Sequence, residues 1–202
     1  MTKVSEEILR ELYGEVSSVA AVKTISYLDE NCLTFIDNST FCVVATSDGF
    51  NLDVSPKGDP AGFIKVLDDK TLVIPDRPGN NRIDGLLNLL KHPKIGLLFL
   101  IPTVDETLRI NGSAEIIIDS NFCKDFSLKG IAPKTVTKIT VDEAFLHCGK
   151  ALMRAGLWNP KTWLNNRPVP NLYEMVKGHV KGHRVPDLSQ DQIELDYKKT
   201  LY

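Results

Sequence analysis

Between Thr40 and Leu146 the chain repeats one short theme, a β-branched or aromatic stretch followed by turn chemistry. Thr40 to Thr46 reads TFCVVAT, Ser47-Asp48-Gly49 supplies a turn, and Asn51 to Ser55 follows. Phe63 to Leu67 and Leu72 to Ile74 flank Asp68-Asp69-Lys70, a good hairpin turn, and Ile95 to Ile101, Thr107 to Ile118 and Val136 to Leu146 give three more strands. Such stretches favour the pleated, half-buried surface of a sheet, and the turns between them are built for reversal. Connections this short join antiparallel neighbours, so six or seven strands suggest a mainly β small barrel or sandwich.

Helices flank the strands. Ile8, Leu9 and Leu12 share one face of a first helix, and Ile25, Leu28, Cys32, Phe35 and Ile36 predict a second that stops at Asp37-Asn38-Ser39. Ile83, Leu86, Leu87 and Leu90 recur at i, i+3, i+4, i+7, predicting a helix over Asn80 to Lys91 that His92-Pro93 ends. A later helix is expected from about Gly149 to Trp158. The organisation expected is a helical cap over 1–38, a strand-rich domain over 39–158 and an arm over 159–202, all in one domain. The arm carries prolines and short helical pieces, and such a segment needs a surface to fold against, its own barrel or a second subunit.

Charge and apolar runs narrow the partners. With 24 Lys+Arg against 26 Asp+Glu, the chain has no cationic surplus for a nucleic-acid backbone. No apolar run approaches the ~20 residues of a membrane span, and MTKVSEEILREL is acidic and amphipathic, unlike a secretory signal. The expectation is a soluble, cytoplasmic protein without nucleic-acid or membrane partners. Cys32, Cys42, Cys123 and Cys148 form no Cys-x-x-Cys pair, so they read as packed thiols rather than zinc ligands. His179 and His183 have the i, i+4 spacing of metal ligands, but Gly182 interrupts them and no carboxylate motif accompanies them.

The chemistry concentrates in Asp53 to Leu90. A strand ends at Pro75, and Asp76-Arg77-Pro78-Gly79-Asn80-Asn81-Arg82 leads into the amphipathic helix. A helix start offers unpaired N–H groups and a partial positive charge. Two arginines and two asparagines there add donors shaped for a phosphate. The same residues also suit a solvated turn. The segment lacks the Gly-x-x-x-x-Gly-Lys pattern of a nucleotide-hydrolysing loop. Upstream, Val54-Ser55-Pro56-Lys57-Gly58-Asp59-Pro60 places two prolines and a glycine among strands, as at a sheet edge. An edge can present its backbone to a flat heterocycle, with Ser55 and Lys57 adding polar contacts; a loop closing a bulge is the plainer alternative.

Four collinear motifs, DVSPKGDPAGF, LVIPDRPGNNRIDGLLNLLKHPKIGLLFLIP, ETLRINGSAEI and FLHCGKALMRAGLW, give the chain over about 25–158 a resemblance to the pyridoxamine 5'-phosphate oxidase-like flavoproteins. Within them it is most similar to a subgroup of FMN-dependent enzymes of unassigned substrate. The resemblance implies an antiparallel split β-barrel with flanking helices that binds FMN at a two-fold dimer interface. It implies a phosphate held by Arg77, Asn81 and Arg82, an isoalloxazine lying along Ser55, Pro56, Lys57 and Gly58, and a flavin contact from Thr107. Lys150, Arg154 and Trp158, at i, i+4, i+8, are then placed to reach the flavin of the partner subunit; a solvated basic face beside a core tryptophan is the alternative.

The resemblance stops short of vitamin B6 chemistry. Authentic pyridoxamine phosphate oxidases carry a late Arg-x-His arrangement, whereas this chain reads His179-Val180-Lys181-Gly182-His183-Arg184. The function expected is an FMN-dependent oxidoreductase acting on a small molecule. The rivals are a deazaflavin- or haem-linked reductase on the same fold and a non-catalytic flavin-binding protein. No residue stands out as a general acid or base, so no catalytic residue is named.

Overall fold

The computed structural model describes residues 4–180 and 182–202; Met1 to Lys3 of the expected cap and Lys181 of the late basic stretch lie outside them. In chain order the elements are α1 (Glu6–Tyr13), α2 (Ser18–Val22), α3 (Glu30–Asn38), β1 (Phe41–Ser47), β2 (Leu52–Gly58), β3 (Lys65–Asp68) and β4 (Thr71–Pro75). They continue with α4 (Asp84–Lys91), β5 (Lys94–Leu100), β6 (Thr107–Ile117), α5 (Ser120–Lys124), β7 (Val136–His147), α6 (Lys150–Ala155), α7 (Leu172–His179) and α8 (Gln190–Lys199). Among the described residues no helix is long and apolar enough to cross a membrane.

The strands form one antiparallel sheet in the order β2-β1-β5-β6-β7-β4-β3. The architecture is mainly β, a split barrel with flanking helices whose sheet curls without closing. Both ends stay unpaired, and β2 is one of them, as the proline-bearing segment predicts. Period-2 alternation sorts the side chains. On β5, Ile95, Leu97 and Phe99 are buried, and Leu108 and Ile110 of β6 meet them across the register. Leu28, Cys32 and Ile36, from α3 and the turn before it, join the same core. Each large apolar side chain buried there contributes about 1.5–3 kcal/mol.

The curl has a local cause. The β6–β7 ladder shifts register between Asn111 and Gly112, and a bulge of this kind bends a strand and raises its twist. Gly112 is required because a Cβ there would run into the backbone carbonyl of Thr140 on β7. The bend carries β7 and β4 round, bringing the end of β4 near the free edge at β2.

Three sequence expectations are corrected. Ile25 is not helical: it exchanges backbone hydrogen bonds with Ala144 of β7, because Asp29 caps α3 by accepting from the Cys32 N–H at 2.8 Å. The helix expected from Asn80 begins only at Asp84, since Asn81 and Ile83 take left-handed backbone at φ 58° and 52°. Cys32, Cys42 and Cys123 are buried, and burial pushes the thiols of Cys32 and Cys42 up to about 11 and about 12. Cys148, expected to pack, is exposed in the step between β7 and α6.

Gly112→Ala should cost about 3 kcal/mol or more, because the obstacle is backbone and cannot rotate away. Gly178→Ala in α7, where a Cβ meets nothing within 4 Å, should be neutral or stabilise by up to about 1 kcal/mol. Denaturant midpoints of the two variants check the contrast.

Candidate functional site

A cleft of about 570 Å³ opens between β2 and the end of β4, closed on one side by α4 and on another by 131–134. Its volume falls within the about 300–1,000 Å³ of small-molecule and cofactor sites. Alternation along β2 turns Asp53, Ser55 and Lys57 into the cleft and Pro56 and Gly58 to the opposite face. Val44, Ile74, Leu89 and Ile95 give it an apolar floor. Arg77, Asn81 and Arg82 stand at one end, joined by Lys134.

The cations of this end are in different states. Arg77 donates from Nε to the Asp59 carboxylate at 2.5 Å and from Nη1 to the Phe126 carbonyl at 2.9 Å. Nη2 has no protein partner among the described residues. Asp59 is buried, its side chain 1% exposed, so the pair is internal. Lys57 reaches Asp76 at 2.6 Å. Arg82 is 73% exposed and holds Asp84 at 2.8 Å, a bond that raises its already high pKa. Lys134 enters no ion pair among the described residues.

Helix α4 completes that end. Asn88 donates to Thr46 Oγ1 at 3.2 Å, pinning the helix to β1. Gly85 lets its first turn sit over Asp53, whose Oδ2 would lie 3.0 Å from a Cβ there. Ile83, at the N-cap, offers no side-chain hydrogen bond, so the helix start that lines the cleft has no capping acceptor of its own. A β-branched residue in left-handed backbone is an uncommon and costly conformation. Its presence here leaves a helix start bare where two arginines and a lysine gather, a combination suited to an anion.

The remaining residues singled out in the sequence lie elsewhere. Thr107 is buried on β6 opposite His147, and Lys150 and Arg154 are exposed on α6; none lines the cleft. Trp158 donates from Nε1 to the Val104 carbonyl at 2.8 Å, anchoring the loop before β6. His179 ends α7, and Gly182 at φ 79° separates it from His183, so the two do not share a helix. Asp53, Asp59, Asp76 and Lys134 were not foreseen. Alternation from Ser55 and Lys57 already marked Asp53, whereas the other three depend on contacts distant in sequence.

Fold and cleft define a split-barrel protein whose cleft joins a basic end to an apolar floor. The family model for pyridoxamine 5'-phosphate oxidase matches residues 28–148, and the chain belongs to that family. No curated protein matches it in sequence. Among crystal structures, HupZ of Group A Streptococcus is 25% identical over 58% of this chain and 92% of its own, with a TM-score of 0.48. General stress protein 26 of Bacillus anthracis is 15% identical, covering 56% of this chain and 88% of its own at a TM-score of 0.45. An FMN-binding protein from Syntrophomonas wolfei is 12% identical, covering 59% and 88% at a TM-score of 0.45.

Arg77→Ala leaves the buried Asp59 carboxylate without its cation and should destabilise the protein by about 3–5 kcal/mol. Arg82→Ala breaks only an exposed pair and should leave stability unchanged. Chemical denaturation of the two variants separates the structural arginine from the free one.

Proposed function

We propose that the protein is a homodimeric, FMN-dependent oxidoreductase of the cytoplasm acting on a small molecule. The observation that carries this reading is the uncapped start of α4 opening into the cleft beside Arg77, Arg82 and Lys134. The residues fit the cofactor's two halves. Arg82, Lys134, the free Nη2 of Arg77 and the first N–H groups of α4 would hold the phosphate. The apolar floor and the Asp53-Ser55-Lys57 face of β2 would receive the isoalloxazine. FMN, when bound, supplies the electron transfer that amino-acid side chains lack, and the chain's own part is to bind, orient and shield. The four free thiols fit a reducing compartment.

The proposed dimer would use the other face of the sheet. There Phe41, Leu52 and Val54 are exposed beside Pro56, an apolar row that a second copy would cover. Lys150 and Arg154 lie outside the cleft of their own chain, so a second copy is the route by which they would meet a flavin.

Titration with FMN should give a yellow complex. Arg82→Ala should weaken it about tenfold or more, the worth of one charge-assisted bond, and leave riboflavin binding unchanged. Protein that ignores FMN and takes up a deazaflavin instead would overturn the assignment. Light scattering during chromatography should find a dimer, and Val54→Lys should shift it to monomer with loss of FMN affinity. A wild-type monomer that binds FMN fully would remove the shared-site part of the reading.

A further inference from the structure

The Arg77–Asp59 pair has a third member from far along the chain, beyond the family-matched residues. Tyr202 Oη donates to Asp59 Oδ1 at 2.9 Å, while Asp59 Oδ2 accepts from Arg77 Nε at 2.5 Å. The two oxygens of one buried carboxylate are thus held by residues from two unrelated segments. Nothing in the loop holding Asp59 requires the second bond, and the arm delivers it. Helix α8 starts on a Ser189/Gln192 capping box and buries Ile193, which sets the path of 200–202. The Tyr202 ring also lies under Lys129 Nζ, 4.4 Å from its centroid. The bond to Asp59 raises the phenol's pKa further above its ordinary value, and the protonated hydroxyl is the donor.

The consequence runs through a rigid group. A guanidinium is planar, so fixing two of its nitrogens fixes the direction of the third. Nε is fixed by Asp59 and Nη1 by the Phe126 carbonyl, which leaves Nη2 as the atom free for a ligand. A carboxylate tethered at one oxygen can swing about its Cβ–Cγ bond. One tethered at both cannot.

We infer that Tyr202 is a positioning residue: by holding Asp59 Oδ1 it locks the carboxylate that orients Arg77, and so sets the cleft's grip on a phosphate monoester. The arm is then a built part of the site. This rests on the reading of the cleft as a phosphate site, and the test separates the two.

The 202-residue chain and its Tyr202→Phe variant, which keeps the ring under Lys129 and removes only the hydroxyl, are titrated with FMN and with riboflavin. The expected result is that wild type binds FMN more tightly than riboflavin, and that Tyr202→Phe loses about five- to tenfold in FMN affinity. Riboflavin affinity should not change. Equal losses for both flavins would mark general structural support and overturn the positioning role, as would unchanged FMN affinity in the variant. Wild type that does not distinguish the two flavins would overturn the phosphate reading itself, and the role of Tyr202 with it. Thermal unfolding of both proteins without flavin confirms that the compared samples are folded.

Discussion

The open barrel is held at its split by two ion pairs rather than by a ladder. Lys57 at the end of β2 reaches Asp76 just past β4, and Arg77 beside it reaches Asp59 just past β2. These strands stand six places apart counted along the sheet with both included, and no backbone bond joins them. The sheet's curl brings them near, and the crossed charges keep them there. The two pairs differ in kind. Lys57–Asp76 is partly wet and worth little by itself, whereas Asp59 is sealed from water and its partner cannot be withdrawn without a large penalty. The cleft inherits its width from this join, since its walls are the two segments that the pairs connect.

Side-chain periodicity made the sheet legible in the sequence, because local spacing alone decides which face a strand residue takes. The free edge was legible too: Pro56 has no N–H for a second ladder, and β2 lies at the end of the sheet. The start of α4 was not. Ile83 fits the apolar stripe perfectly well by spacing, yet its backbone is left-handed, and spacing carries no information on φ. Arg77 and Arg82 looked equivalent for the same reason. Five positions apart in one turn-rich segment, they differ only in what lies beside them in space, a buried aspartate side chain for one and an exposed aspartate for the other. Thr107, Lys150 and Arg154 entered through resemblance, and within one chain no geometry brings them to the cleft.

Strain and charge in the cleft serve one another. An uncapped helix start costs stability in a protein with nothing to bind there, and so does Ile83 in its strained conformation. Three carboxylates, Asp53, Asp76 and Asp84, line the same space, and the pairing of Asp76 with Lys57 and of Asp84 with Arg82 keeps the arginine- and lysine-rich end from repelling itself. An entering anion would not need to build a positive site. It would compete with Asp84 for Arg82 and meet Lys134 and the α4 N–H groups, which have no such competitor to displace. The net charge of -2 hides this, because the acids that balance the cations sit within a few ångströms of them.

Rigidity in the site is therefore unequal by construction. Arg82 can leave Asp84 at small cost, so it can follow a ligand in and out. Arg77 cannot move without uncovering Asp59, so it acts as a fixed donor whose direction is set before anything binds. A fixed donor contributes more in binding than a mobile one of equal charge, because its ordering cost is met during folding. On the proposed reading the two arginines divide the work: the buried pair would define where an anion goes, and the exposed arginine would be free to move onto it.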